Sequence, residues 1–367
     1  MLLLTIVADS AMAQGQFSGD VQVETQFYQR DENIGAAGTE HYDNLLKGGD
    51  AWFALNYNNP GIGLQTFFRF DGFLNSNLHN PGTAFNAYGG AFYIKKSFGD
   101  LEITAGHIYD QFGSGQTFRA YEERGLGIDN AVLGIHAKYN FNGNWFAKGF
   151  MGKQKKIEEG FNLWSVYDPV LMGLNIEGVV PVSDNLQLTP GGSILNRTMD
   201  KESFQPIIEE LQTYMPQDTF TATRNVYSYS IYNTLDWKNI SWYIEYAGKT
   251  KDAYRSSRDS IVNASGTSIN PLFQNTGSII YTNMTYSKKG FGVTAQYRRV
   301  ENYSLRTSPN EILLNGVLNY LPALTRQNTL RLLSRYNAVT QELSEQTVQL
   351  DVIYTPKKGY TLNGNFS

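Results

Sequence analysis

The stretch ISWYIEYAGK, residues 240–249, decides how this chain is read. Ile240, Trp242, Ile244 and Tyr246 share one parity, and Ser241, Glu245 and Lys249 share the other. In a strand successive side chains point to opposite faces, so this segment offers one apolar ribbon and one polar, charged ribbon. The same alternation runs down the chain. Phe17, Val21, Val23 and Phe27 oppose Ser18, Asp20, Gln22, Glu24 and Gln26, a run long for an ordinary strand. Ile62, Leu64, Phe68 and Phe70 oppose Gln65, Arg69 and Asp71, and Val348, Leu350, Val352 and Tyr354 oppose Gln349 and Asp351. The whole chain reads as about fourteen such strands, with the opening of another at Tyr360.

The connections carry more information than the strands. Turn chemistry falls at NNPG (58–61), GD (99–100), NGN (142–144), SDN (183–185), DWKN (236–239), KKG (288–290) and PKKG (356–359). Between them lie long connections at about 29–48, 74–86, 110–128, 153–167, 197–222, 250–276 and 302–344. Short and long alternate throughout, which is the rhythm of an up-and-down barrel with tight turns on one rim and large loops on the other. A Greek-key sandwich has no reason to keep that rhythm, and would bury Phe68, Trp242 and Leu350 between two layers. A barrel of about eight strands can just fill its interior with side chains; one nearly twice as large cannot. The apolar parity is therefore expected to meet lipid and the charged parity to line a wet lumen. Hydrocarbon gives a free strand edge no hydrogen-bond partner, so the wall is expected to close. Aromatics beside the short turns, among them Tyr57, Phe98, Trp145, Trp237 and Tyr360, suit a girdle at one membrane interface. The fold class is all-β, a transmembrane up-and-down antiparallel β-barrel. An even strand number is the rule for bacterial single-chain barrels, so the chain is expected to be truncated at its C-terminus, with strands continuing past Ser367.

The totals agree. The chain of 367 residues has 24 Tyr, 21 Phe and 35 Gly against 17% charged residues, a composition of strands and turns. A net charge of -4 with no long basic run gives no footprint for a nucleic-acid backbone. With no Cys there is neither a disulfide framework nor a thiolate metal site, and His41, His79, His107 and His136 have no ligand spacing. In MLLLTIVADSAMAQGQ an apolar run leads to Ala11-Met12-Ala13, a small-x-small cleavage site, so residues 1–13 read as a signal peptide and 14–367 as the mature barrel. The apolar region is short and lacks a basic leader, which leaves room for a start upstream of Met1. No run approaches the ~20 apolar residues of a membrane helix. The expected location is the outer membrane, reached by export.

Charges of lumen parity include Glu24, Asp71 and Glu245 against Arg69, Lys95, Lys138, Lys148 and Arg298. Mixed signs predict weak ion selectivity, or pairing across a closed interior. The third long connection belongs to the stretch YDQFGSGQTFRAYEERGLGIDN, residues 109–130. Gly113, Gly115, Gly125 and Gly127 can supply bends, and Arg119, Glu122, Glu123, Arg124 and Asp129 supply charge, the composition of a loop folded inward to narrow a pore. The alternative is a surface loop whose Arg and Glu pair with each other. In the last connection Ser308, Pro309 and Glu311 make a helix start. An apolar stripe follows with Ile312, Leu313 and Leu321, and a second piece with Leu330, Leu332 and Leu333. A helical insertion at about 308–335 is expected, and a smaller amphipathic helix at 203–214. The helices of the insertion are read as packing against each other over the rim, with capping or plugging the barrel, or offering a groove to a protein partner, as alternatives; the smaller helix can do the same.

Two blocks, GHIYDQFGSGQTFRAYEERGLGIDNAV (106–132) and YLPALTRQNTLRLL (320–333), resemble segments of an uncharacterised family of Gram-negative outer-membrane β-barrel proteins, porin-like and of unassigned function. The resemblance runs across most of the mature chain. It implies an exported barrel and brings no catalytic residues.

Enzyme motifs fail on inspection. Gly113-Ser114-Gly115 is too short for a nucleophile elbow, and Phe118 and Asn130 stand where the third glycine of a dinucleotide fingerprint belongs. No catalytic residue, cofactor or metal is expected. The reading is a porin-like channel for passive diffusion of small polar solutes, with the lipid bilayer as its other partner. The alternative is a barrel-anchored cell-surface interaction protein whose long loops bind a partner.

Overall fold

The alternating segments form strands β1 (Gln16–Phe27), β2 (Lys47–Asn59), β3 (Leu64–Leu74), β4 (Asn86–Phe98) and β5 (Leu101–Ile108). They continue with β6 (Val132–Phe141), β7 (Trp145–Lys155), β8 (Val166–Gly178), β9 (Leu186–Thr198) and β10 (Asn225–Trp237). The last are β11 (Ile240–Arg255), β12 (Leu272–Lys288), β13 (Phe291–Glu301), β14 (Ser344–Lys357) and β15 (Tyr360–Phe366). The structure is a computed structural model that describes residues 15–39, 41–76, 86–156, 162–256, 259–311, 315–324 and 342–367. The expected signal peptide, residues 1–13, lies outside them.

These strands make one antiparallel sheet whose order is the order of the chain, 16-stranded when the short segment Val180–Ser183 beside β9 is included. Among the described residues β1 pairs only with β2 and β15 only with β14. Each expected short turn joins two neighbours. In NGN, Asn142 and Gly143 take φ of 37° and 76°, the paired positive values that a tight hairpin of matching twist demands. In NNPG the Asn59 side chain accepts from the Ile62 N–H at 3.3 Å while Pro60 starts a single helical turn.

Burial follows parity, in the sense opposite to a water-soluble sheet. Phe68, Trp242 and Leu350 are 40%, 42% and 39% exposed, and Phe17, Val21, Val23 and Phe27 are exposed too. On the opposite face Arg69, Glu245 and Arg298 are 2%, 1% and 0% exposed. The sandwich alternative fails on these positions.

The expected helix at 203–214 is present as α1 (Lys201–Gln212). Asp200 caps it, accepting from the Glu202 and Ser203 N–H groups at 3.1 and 3.2 Å. Ile207 and Leu211 recur on one face and are buried with Met199, Tyr214 and Leu272. Each buried aliphatic side chain stabilises the packing by about 1.5–3 kcal/mol.

The insertion expected at about 308–335 differs. Its described residues, 308–311 and 315–324, form turns and an isolated bridge between Arg306 and Val317 rather than helix; 312–314 and 325–335 lie outside the described residues. Tertiary pairing takes the backbone groups that a helix would have used. Thr307 N–H donates to Gly316 O, Leu318 N–H to Leu305 O and Tyr320 N–H to Gly115 O.

The chain divides into two compact units. The first comprises residues 1–109, 120–139 and 151–167; the second comprises 110–119, 140–150 and 168–367. The stretch 109–130 contributes to both.

Candidate functional site

In the first unit Arg69 is the hub. It rises from β3 on the charged face and donates through Nε to Asp71 at 2.6 Å, through one terminal nitrogen to Glu122 at 2.7 Å and through the other to Asp129 at 3.4 Å. Lys155, at the end of β7, donates to Asp129 at 2.5 Å and to the Gly90 carbonyl at 2.7 Å. Tyr109 donates its hydroxyl to Asp129 at 3.0 Å. Burial alone would push the Asp129 carboxyl up; Lys155 and Arg69 beside it hold it below the usual range. Oxygens of Asp71, Glu122 and Asp129 lie within 4.8 Å of one another, close enough by distance to share a divalent ion. Arg69 already donates to all three, so side chains supply the countercharge.

Arg124 extends this group. Its Nε lies 3.3 Å from Glu122, one terminal nitrogen donates to Gln22 at 2.9 Å, and its guanidinium stands 5.6 Å from the centre of the Trp52 ring. The segment 120–130 is thereby fastened to the charged face of β1–β3. Glu123 is exposed.

In the second unit the segment 110–119 lies on the charged face of β7 and β9–β11. Ser114 donates its backbone N–H to Glu245 Oε2 at 3.1 Å and its hydroxyl to the same oxygen, and Tyr243 adds its hydroxyl at 2.7 Å. Gly113 makes that approach feasible. Its φ is +51°, and a Cβ there would come within 2.9 Å of Glu245 Oε1 and 3.0 Å of the Tyr232 ring. Phe112 and Phe118 stack with Phe150, and Lys148 donates to Asp110 at 2.6 Å and to the Gln111 carbonyl at 2.7 Å. Arg119 stacks over Tyr320 with its guanidinium 3.8 Å from the ring centre. Arg119 N–H also donates to Leu318 O at 3.0 Å, so the third and last connections form a small backbone ladder.

The residues expected at a constriction thus fall into two groups: Glu122, Arg124 and Asp129 around Arg69, and Arg119 on Tyr320. Of the expected lumen charges, Arg298 donates to Glu345 at 2.6 Å and to the Pro322 carbonyl, Lys95 pairs with Glu102 at 3.1 Å, and Glu24 accepts from Gln22 at 2.8 Å. Lys138 is half-buried on β6. Sequence reading missed Tyr109, Ser114, Lys155 and Tyr320. Position was the signal for three of them: Tyr109 and Lys155 sit at strand ends and Ser114 between two glycines, while nothing local marks Tyr320.

The chain is similar to several solved structures, to different degrees. Pseudomonas aeruginosa OccK8 (OprE) superposes with a TM-score of 0.50 at 10% identity, covering 93% of this chain and 78% of that one. The outer membrane protein OpdK of the same organism gives 0.40 at 12% identity, covering 96% and 92%. A BenF-like porin from Pseudomonas fluorescens Pf-5 gives 0.40 at 9%, covering 95% and 92%. The last two overlap too loosely to add to the fold assignment. No curated protein sequence matches the chain. The model described as "Family of unknown function (DUF6029)" matches residues 1–367, and the chain belongs to that family.

Proposed function

We propose that this chain forms the wall of a closed outer-membrane β-barrel through which small polar solutes diffuse passively, with the 109–130 stretch narrowing the path. One observation carries the reading. Phe68, Trp242 and Leu350 are exposed on the same strands, or strands of the same sheet, that bury Arg69, Glu245 and Arg298. In water a contiguous apolar face of that extent is an aggregation liability; against acyl chains it is the stable arrangement. The opposite face then borders water, which is the medium that tolerates its charges. Closure of the sheet follows from the same solvent, since lipid satisfies no free strand edge.

The fold shared with OccK8 supports this reading. So does the placement of Arg119, Glu122, Arg124 and Asp129 on a segment fastened to the charged face. Because these charges are paired with one another or with wall residues, weak ion selectivity is expected.

Reconstitution of the full chain in planar bilayers tests the proposal. Stepwise conductance is expected, and removal of residues 113–126 should enlarge each step. A chain that inserts and carries no current would overturn the channel. That result would favour a second reading, a barrel-anchored surface protein, for which the observation is that α1 and the connection 259–272 share a hydrophobic core of their own around Ile207, Leu211 and Leu272.

A further inference from the structure

The charged face of the second unit changes character toward its short turns. Registered pairs place Thr189, Thr234, Tyr243, Asn283, Gln296 and Gln349 in one row across β9–β14. Every one is uncharged and half-buried, and every one carries a hydrogen-bonding group. The next row toward the turns adds only two charges, Asp236 and Asp351, both acids. One row the other way, Tyr232, Glu245, Tyr281 and Arg298 stand side by side.

Three tyrosines cross these rows as neighbours. Ring centres of Tyr232 and Tyr243 are 6.2 Å apart, and those of Tyr243 and Tyr281 are 6.0 Å apart. Their hydroxyls help fix them: Tyr232 accepts from Asn175 at 2.6 Å and donates to Glu177 at 3.0 Å, while Tyr243 donates to Glu245. The nearest charges are engaged or buried: Arg298, 0% exposed, donates to Glu345 and Pro322 O, Glu245, 1% exposed, accepts from Ser114 and Tyr243, and Glu177 accepts from Tyr232. What remains for a solute is aromatic carbon with amide and hydroxyl groups. Asn283 Oδ1 is buried with no hydrogen-bond partner among the described residues, an acceptor beside the middle of the row.

This is the chemistry that holds a sugar. C–H faces of a pyranose lie on aromatic rings, its hydroxyls exchange hydrogen bonds with amides, and it needs no countercharge. The cation on these rows, Arg298, is fully buried, so an anion finds no accessible countercharge there. Tyr232 is only 6% exposed and backs the other two rings. Resting on the channel reading above, we infer that Tyr243 and Tyr281, with Asn283, Gln296 and Gln349, form a binding track for an uncharged polyhydroxylated solute of the small-oligosaccharide class.

Planar-bilayer recording of the full chain with maltotriose as probe tests the inference. Maltotriose is expected to interrupt the current in a saturable way. Tyr281→Ala should raise the half-blocking concentration about 3–10-fold, the value of one aromatic contact, while Tyr281→Phe keeps the ring and the block. Unchanged current with maltotriose in a conducting protein overturns the inference and leaves the channel standing. So does equal block in Tyr281→Ala, or stronger block by benzoate than by maltotriose. A chain that carries no current overturns both readings together.

Discussion

Ser114 places two donors, its backbone N–H and its hydroxyl, on a single oxygen of Glu245, a carboxylate from which it is separated by 131 residues of chain. Among the described residues Glu245 makes no ion pair, so these donors and Tyr243 carry its charge. This contact joins the Lys148–Asp110 pair and the Phe112, Phe118 and Phe150 rings in holding the segment 110–119 against the sheet. Glu245→Ala should free that segment at a cost of about 1.5–3 kcal/mol in docking, the range for hydrogen bonds to a charged group. The measurable outcome is a larger and noisier single-channel current. Gly113→Ala, which forces a Cβ toward Glu245, should act in the same direction. Equal currents in both variants would rule out a narrowing role for this segment.

Arg69→Met removes the hub of the first unit and leaves three carboxylates with oxygens within 4.8 Å of one another. Breaking a buried ion group from one side costs about 3–5 kcal/mol; Asp129 keeps Lys155 and Glu122 keeps Arg124, and buried Asp71 is the carboxylate that loses its ion-pair partner. Urea unfolding in detergent should show a loss of that size. The 120–130 segment should also become cleavable by trypsin at Arg124, and an uncleaved variant would argue against its role as a fastener.

The contact of Arg119 with Tyr320 joins two connections, and a double-mutant cycle isolates it. With Arg119→Ala, Tyr320→Ala and the double variant, a coupling of about 0.5–1 kcal/mol is expected for a partly exposed cation over a ring. Additive losses would mean that the backbone ladder alone holds the two segments together.

The α1 module should respond to both ends of the pH scale. Burial pushes the Glu210 carboxyl up, but Arg255 at 2.7 Å and the Tyr214 hydroxyl outweigh it and hold the group below the usual 4.5. A depressed carboxyl stabilises the fold above 4.5 and loses that contribution as pH falls through its folded value. Tyr214 is pushed up to about 12, chiefly by burial, from the usual 10.0, so its contribution is complete below 10.0 and is lost as pH rises toward 12. Protection factors of amides 201–212, taken relative to the intrinsic exchange rate at each pH, should be highest between these limits. In Glu210→Gln the acid limb should disappear while the alkaline limb stays.

Much of the fold was legible because period-two alternation and turn chemistry are local. Ile240 to Lys249 announces its two faces without reference to any other strand, and NGN or NNPG marks its own bend. The inverted burial was legible as well, since the alternation puts Arg69 and Glu245 on the face opposite Phe68 and Trp242. The site was legible only as a composition. Arg69 meets Glu122 and Asp129 across 53 and 60 residues, and no spacing in the chain announces that encounter. Register decides it, and register becomes visible only once strands are paired. At Ser308 the capping bonds form, Asn310 N–H to the hydroxyl at 3.3 Å and Glu311 N–H to the carbonyl at 3.2 Å, but Gly316, Leu318 and Tyr320 pair with Thr307, Leu305 and Gly115 where a helix was expected.

In this sheet every long strand has as its neighbour the strand that precedes or follows it in the chain. Assembly can therefore proceed as a zipper, each new hairpin docking on the last, and the entropy of closure is set by single connections. That entropy grows only by about 0.6 kcal/mol for each doubling of a loop. Lengthening a long connection thus hardly taxes folding, so these segments are free to vary in size and chemistry while the strands they join keep their pairing.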